Sequence, residues 1–302
     1  MVVQFAFASQ AVEAKLAMLP RSEGGEEIFP QALALVRMLG GALFFQVAAR
    51  WRAPGGSAPP RLDARMHARL VGLGALGVAI NQALFLAGLR TSTPFVVSVL
   101  GASIPVLTAA IAVLFRKEPP SVRMGLGLVL ALSGVLWLIG VGSSGTAGNV
   151  DFGAILVALN CLSYSAYVVF SRDVVRTLGS IRMMGWVFTY AALMFAPLGA
   201  GPLVETFSHL TTRGAILVGF IVLVPTVIAY GLNAWALGRS SASVVTIYIY
   251  VQPLIAGVLA RLQLGYEISS RAGLAAALIL GGVAVTTLRL PSRARASRRG
   301  VT

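Results

Sequence analysis

Residues 90–135, RTSTPFVVSVLGASIPVLTAAIAVLFRKEPPSVRMGLGLVLALSGV, decide the fold because a later stretch of the same chain repeats them. Residues 239–283 read RSSASVVTIYIYVQPLIAGVLARLQLGYEISSRAGLAAALILGGV and align with hardly a gap. Pro105 and Pro253 lie 148 positions apart in this alignment. Further matched pairs are Arg90 with Arg239, Glu118 with Glu267 and Gly134 with Gly282. The sequence therefore contains an internal duplication.

The duplication extends back to the first hydrophobic segment. Residues 7–15 resemble residues 164–172, at a separation of 157 positions, so each half holds five predicted helices. A tandem unit with an odd number of membrane helices must enter the membrane in opposite senses, which gives inverted halves around an axis in the membrane plane. Such halves enclose a solute site near the midplane, and we expect one here.

Composition and charge-free runs give the fold class. Of 302 residues, 57% are hydrophobic and 11% are charged, whereas soluble domains carry about 25% charge. A hydrocarbon core about 30 Å thick needs about 20 apolar residues in a helix, and runs of that kind follow one another along the chain. They are 2–19, 29–49, 70–89, 91–115, from 124 past 140, 152–171, 183–204, 214–238, 240–260 and 272–288. We predict an all-α polytopic membrane protein with ten transmembrane helices arranged as two inverted five-helix repeats. The predicted divisions are a first repeat (1–142), a second repeat (151–290) and a basic cytoplasmic tail (291–302).

The net charge of +14, from 24 basic and 10 acidic residues, indicates topology rather than a nucleic-acid partner. Seventeen of the basic residues fall in segments that are cytoplasmic if the N-terminus is inside, and Lys and Arg of short loops stay on that side. We therefore expect both termini in the cytoplasm and no nucleic acid as a partner. The single Cys161 and two histidines are too few for a multi-cysteine site, so we expect no metal and no cofactor.

Polar residues recur at helical spacing within the apolar spans. Asn160 and Tyr164 share one face of the sixth span, and Tyr230 and Asn233 recur in the eighth. Polar groups at membrane depth face a cavity or a partner helix, and for any single residue a hydrogen bond between helices explains it as well as substrate contact does. Together they predict an uncharged cavity of amides and aromatic rings. The predicted substrate-binding residues are Asn81, Gln82, Asn160, Tyr164, Tyr230, Asn233, Tyr248, Gln252 and Arg37.

Three charged residues lie within spans. Arg37 and Lys15 each have the charge to meet a substrate carboxylate. The alternative is that Lys15 extends outward to the interface while Arg37 pairs with Glu13 or with carbonyls at a helix end. Glu13 is the only acid in any predicted span. It is therefore the predicted coupling residue if transport uses protons, and without coupling the protein would be a facilitator.

Pro105 and Pro253 occupy equivalent positions in the middle of their predicted spans. Proline removes an intrahelical hydrogen bond and bends a helix, so the pair predicts two hinges, with static kinks as the alternative. Ser121, and Ser269 or Ser270, are placed to cap the fifth and tenth helices.

The order and duplication of these features resemble the EamA family of the drug/metabolite transporter superfamily. The features are Arg37 in the second span, Pro105 and Glu118 of the fourth, their counterparts Pro253 and Glu267, and the Gly281–Gly282 pair. Within the family, the chain resembles YddG-type exporters of aromatic amino acids. The resemblance implies a multi-pass protein of the bacterial inner membrane that exports small organic metabolites, with aromatic amino acids as the implied substrates.

An intramembrane enzyme acting on lipid is the alternative function class, and drugs, sugars or nucleotide-like metabolites are the alternative substrates. An enzyme should place catalytic groups near an interface, but His67 and His209 lie in loops with no partner at a recognisable spacing. We therefore expect a carrier and not an enzyme. A chain that contains both halves has no need to dimerise, so a monomer is expected.

Overall fold

The computed structural model describes residues 2–51, 62–140, 151–240, 245, 249, 251–267 and 269–287. Within these residues the chain forms ten helices, if an interrupted helix is counted once. In chain order they are α1 (Val2–Met18), α2 (Pro30–Trp51), α3 (Ala64–Thr91), α4 (Pro94–Leu114), α5 (Val122–Ile139), α6 (Phe152–Leu178), α7 (Ser180–Ser208), α8 (Thr212–Leu237), α9 (Gln252–Leu264) and α10 (Ser270–Thr287).

Helices α2 to α8, seven in the described part of the chain, are long and apolar enough to cross a membrane. The other three are not among these: α1 has 17 residues, α9 has 13 and α10 has 18. Most of residues 241–250, which precede α9, lie outside the described ranges. The all-α polytopic class agrees with the sequence, and the count of ten spans stays a prediction.

Polar residues fix where several helices begin. The Ser121 hydroxyl accepts a hydrogen bond from the Met124 amide at 3.2 Å, and the Ser269 hydroxyl accepts one from the Ala272 amide at 3.2 Å. Both predicted caps are therefore confirmed. Of the two serines that could cap the tenth helix, Ser269 is the one that does so. The same bond is made in α3, α4, α6 and α8 by Asp63, Thr93, Asp151 and Thr211. Each cap satisfies one amide that the first helical turn leaves free.

The helices pack in pairs that have counterparts in the two predicted halves. The second helices of the halves, α2 and α7, pack on each other, and so do the fifth helices, α5 and α10. Helix α3 packs on α6 as α8 packs on α1, and α4 packs on α6 as α9 packs on α1. Helices α1 and α6 therefore each run between two helices of the opposite half.

Glycines bring α5 and α10 close together. A Cβ at Gly282 would lie 2.5 Å from the Gly127 carbonyl oxygen and 2.7 Å from the Ala131 amide nitrogen. A Cβ at Gly127 would likewise lie 2.5 Å from the Gly282 carbonyl oxygen. The two backbones therefore touch, as small residues permit in membrane helix pairs.

Two helices contain a π-helical segment at equivalent positions. In α3 the segment is Ala75–Ala79, and in α8 it is Val222–Ile228. A π segment widens the helix, and such segments are frequent at functional sites. The widened turn at Gly77 leaves room for an aromatic neighbour, because a Cβ there would lie 2.2 Å from the ring of Tyr167.

The two matched prolines lie at the start of helical segments, and their role as hinges stays a prediction. Helix α4 consists of Pro94–Gly101 and Ile104–Leu114, so Pro105 lies in the first turn of the second segment. Pro253 likewise lies in the first turn of α9. Amides of a first turn have no intrahelical partner, so proline costs nothing there. Both prolines therefore mark the start of a helical segment.

Candidate functional site

A cavity lies where helices of both halves meet. The space in it and in its open mouth is about 620 Å³ together. It is lined by Phe7, Gln10, Ala11, Asn81, Gln82, Phe85, Val97, Ser98, Gly101, Ile104, Asn160, Tyr164, Tyr230, Ile249 and Gln252. Six of the nine predicted substrate-binding residues are in this set: Asn81, Gln82, Asn160, Tyr164, Tyr230 and Gln252.

Two asparagines join α3 to α6 at the cavity wall. The side-chain amide of Asn160 donates to the Asn81 carbonyl oxygen at 2.8 Å, and the Asn81 side chain donates to the Asn160 carbonyl oxygen at 3.4 Å. Asn81 comes two residues after the π segment of α3. These bonds match the interhelical alternative, although both residues also border the cavity.

The tyrosines form an aromatic wall whose hydroxyls are tied to amides. The Tyr230 hydroxyl oxygen accepts from Gln82 Nε2 at 3.0 Å, and the Tyr164 hydroxyl oxygen accepts from Asn233 Nδ2 at 2.9 Å. The Tyr230 ring makes edge contacts with Phe7 and Tyr164, with centroid separations of 5.5 and 6.5 Å. Asn233 thus supports the cavity from behind and does not line it.

Arg37 is 1% exposed and lies directly behind the cavity wall. Its Nε donates to Thr226 Oγ1 at 2.9 Å, its Nη2 donates to Gln10 Oε1 at 3.0 Å, and its Nη1 donates to Gln82 Oε1. Two of these partners, Gln10 and Gln82, line the cavity. The expectation that Arg37 pairs with Glu13 or with helix-end carbonyls is wrong, because side-chain oxygens of α1, α3 and α8 surround the guanidinium.

Lys15 uses the helix-end carbonyls instead. Its Nζ donates to the carbonyl oxygens of Leu89, Arg90 and Ser92 at 2.9 to 3.0 Å, at the C-terminal end of α3. The side chain is buried, so the expectation that it extends outward to the interface is wrong. A cation at a helix C-terminus satisfies free carbonyls and the negative end of the helix dipole.

Arg172, the residue that matches Lys15 in the second half, makes the corresponding contact. Its Nε donates to the Ser240 carbonyl oxygen at 3.2 Å, just beyond the C-terminal end of α8. In each half, then, a basic residue near the end of the first helix holds the end of the third.

The remaining predicted site residues lie apart from the cavity or outside the described residues. Glu13 accepts a hydrogen bond from Gln263 at 3.3 Å, near the end of α9, and is not among the cavity residues. Gln252 lines the cavity and donates to Gln4 Oε1 at 2.7 Å. Tyr248 falls outside the described residues.

Gln10 and Phe7 are two cavity residues that the sequence pattern failed to reveal. Both lie on one face of α1, three positions apart, and Gln10 reaches Arg37. The two amides of this span, Gln4 and Gln10, are six positions apart and so do not mark one helical face. The available signal was the repeat itself, because Gln10 aligns with Tyr167 and Phe7 with Tyr164 at the separation of 157.

Ion pairs join the halves at both ends of the bundle. Lys117 Nζ lies 2.5 Å from Asp173 Oδ2, between the end of α4 and α6. At the other end Arg213 Nε lies 3.8 Å from Glu26 Oε1, which also accepts at Oε2 from the Thr211 hydroxyl. Each end of the cavity region is therefore bridged by contacts between the halves.

Comparison with known families decides the identity of the fold. The model of the EamA-like transporter family matches residues 2–140 and 151–288. The chain belongs to the EamA-like transporter family. As a member of this family it is a multi-pass membrane transporter. Residues from both matched ranges line the cavity described above.

Relatives of this EamA-like chain include named but uncharacterised transporters. It is 29% identical over 273 residues to the uncharacterized transporter YdfC of Bacillus subtilis, covering 88% of this chain and 85% of the relative. It is 26% identical over 232 residues to the uncharacterized inner membrane transporter YedA of Escherichia coli, covering 76% and 73%. One crystal structure superposes with a TM-score of 0.64 over 95% of this chain and 98% of the other, at 20% identity, which shows a shared fold.

Proposed function

We propose that this protein is a secondary carrier that exports small organic metabolites, with aromatic amino acids as its substrates. It works by alternating access between two inverted five-helix repeats, residues 1–142 and 151–290, in a bacterial inner membrane with both termini in the cytoplasm. The observation that carries the proposal is a cavity to which both halves contribute rings and amides.

The inverted arrangement is supported by paired features at equivalent positions. The family model matches the two halves separately. The π segments of α3 and α8, the first-turn prolines of α4 and α9, and the basic caps Lys15 and Arg172 all occur in pairs. Ten spans follow if α1, α9 and α10 also cross the bilayer. The segment boundaries at Pro105 and Pro253 then supply the two hinges.

Aromatic amino acids suit the chemistry of the cavity. Phe7, Tyr164 and Tyr230 offer ring edges and faces to an aromatic side chain. Gln10 offers an amide group to the polar end of the solute. An enzyme acting on lipid is disfavoured, because the described residues that line the cavity include no acid, histidine or cysteine.

Uptake by proteoliposomes tests the proposal. The purified chain is reconstituted and loaded with unlabelled phenylalanine, and exchange is measured for labelled phenylalanine, tyrosine, tryptophan, leucine and alanine. We expect exchange of the aromatic amino acids well above that of protein-free liposomes. Exchange of none of the five amino acids would contradict the substrate assignment.

The same liposomes test coupling at Glu13. If an imposed proton gradient drives accumulation of phenylalanine, Glu13→Gln should abolish the gradient dependence while exchange at equal pH persists. Arg50→Gln, which changes an exposed charge at the end of α2, is the control. Gradient-driven accumulation that survives Glu13→Gln would remove Glu13 from the mechanism.

A further inference from the structure

Arg37 is a buried cation held only by neutral partners in the described part of the chain. Its three hydrogen-bond acceptors are two side-chain amides and one hydroxyl, and it forms no ion pair with any described residue. A guanidinium stays protonated in proteins. A charge buried without an opposite charge is costly unless something compensates it, so an intramembrane cation of this kind marks a functional site.

The position of Arg37 directs its charge toward the cavity. Gln10 and Gln82 both border the cavity, and both accept from the guanidinium with their Oε1 atoms. The Nε2 of Gln82 also donates to Asn81 Oδ1 and to the Tyr230 hydroxyl, so Gln10 is the one of the two whose Nε2 is not engaged by a described residue. A guanidinium has five N–H donors, of which three are used by described partners. None of the described residues that line the cavity is acidic. The nearest wall of the cavity is therefore electropositive, and nothing in that wall neutralises it.

The cavity also has an aromatic group of residues, here called the aromatic pole. Tyr164, Tyr230 and Phe7 present rings, and the two tyrosine hydroxyls are already engaged by amides. A cavity that combines amides beside a buried cation with aromatic rings fits a solute that has an anionic end and an apolar body.

We infer that the solute must carry a carboxylate, which binds at Gln10 and is compensated by Arg37, while its apolar part lies against the tyrosines. The inference rests on the proposed carrier function and narrows it. It makes carboxylic acids, including zwitterionic amino acids, substrates, and it excludes cationic amines and uncharged amides of the same shape. Cationic drugs are thereby ruled out as cargo.

Four probes of similar shape test whether the solute needs a carboxylate. They are phenylalanine, 3-phenylpropionate, 3-phenylpropionamide and phenethylamine, and their binding to the purified full chain in lipid nanodiscs is measured by calorimetry. We expect phenylalanine and 3-phenylpropionate to bind, 3-phenylpropionamide to bind at least about tenfold more weakly, and phenethylamine to show no binding, because the charged hydrogen-bonded contact is lost. Equal or tighter binding of the amide or the amine in the wild-type protein would overturn the inference without any variant.

Variants then show whether Arg37 is responsible. Arg37→Gln should bring the affinity ratio of 3-phenylpropionate to 3-phenylpropionamide close to one, whereas Arg37→Lys keeps part of the ratio because it keeps the charge. Arg50→Gln on the same helix should leave the ratio unchanged. A purely structural arginine would lower both affinities together and preserve the ratio, and that result would overturn the role of Arg37.

Failure of this inference is distinguishable from failure of the proposed substrate. If 3-phenylpropionate binds with the expected dependence on Arg37 but no amino acid is exchanged by liposomes, the carboxylate requirement stands and the amino-acid assignment falls. If amino acids are exchanged but the acid and the amide bind alike, the carrier function stands and the carboxylate requirement falls. Should none of the four probes bind, the carboxylate requirement is overturned.

Discussion

The two halves share their backbone interruptions but differ in the side chains that they bring to the cavity. The third helix of each half, α3 and α8, contains a π segment. In each helix a residue two positions after the end of that segment lines the cavity: Asn81 in α3 and Tyr230 in α8. In the first helices, Gln10 of α1 aligns with Tyr167 of α6. At these two aligned pairs the first half has an amide and the second has a tyrosine, although Asn160 and Gln252 of the second half also line the cavity. The difference indicates that the halves share a framework while side chains at and near the cavity have diverged.

The largest expected effect comes from the basic caps that the halves share. Lys15→Met removes three hydrogen bonds to carbonyls of α3 and should lower the free energy of unfolding by about 2–4 kcal/mol. Arg172→Met removes one such bond and should cost about 0.5–1.5 kcal/mol. Thermal unfolding in detergent measures the stability of both variants. A larger loss of stability in Arg172→Met than in Lys15→Met would contradict the matched roles of the two residues.

The second-largest effect is expected at the contact between the fifth helices of the two halves, α5 and α10. Gly282→Ala would place a Cβ 2.5 Å from the Gly127 carbonyl oxygen and should cost about 1–3 kcal/mol, because α5 and α10 must separate to accept it. Gly273→Ala, in the same helix with nothing within 4 Å of its Cβ position, is the matched control and should be neutral or slightly stabilising. Equal unfolding temperatures for the two variants would contradict the close packing.

The aromatic pole is tested by transport. Tyr164→Ala and Tyr230→Ala should each reduce exchange of phenylalanine by about tenfold, which corresponds to about 1.4 kcal/mol, because the ring contacts with the solute are lost. Leu162→Ala and Leu232→Ala, which change exposed residues of the same two helices, should exchange normally. Normal exchange by both tyrosine variants, with lowered stability, would make the tyrosines part of the helix packing alone.

The smallest effect is expected at the exposed ion pair between Lys117 and Asp173. Lys117→Ala should change the free energy of unfolding by less than about 1 kcal/mol, because both side chains are solvent-exposed and the pair is screened by salt. Its effect should vanish at high salt. A loss that persists in 1 M salt would mean that the pair closes this end of the bundle more tightly than its exposure indicates.

Much of the site could be predicted because helical spacing places Asn160 and Tyr164 on one face whatever the tertiary packing. The partners of Arg37 could not be predicted, since its bonds join residues 27 to 189 positions away. The π segments also have no shared sequence signal, because the segment of α8 contains Pro225 and that of α3 contains no proline. Proline alone does not say whether it bends a helix or opens one; at Pro105 the break at residues 102–103 decides it.

Opposite orientation of the two halves is the central claim, and cysteine labelling tests it most directly. Ser22 follows α1, and Thr177 lies near the end of the matching helix α6; both are exposed. With the native Cys161 replaced by alanine, Ser22→Cys and Thr177→Cys are treated in intact cells with a membrane-impermeant maleimide. We predict that Ser22→Cys labels from outside and that Thr177→Cys labels only after the membrane is opened. Labelling of both cysteines from the same side would contradict the inverted repeat.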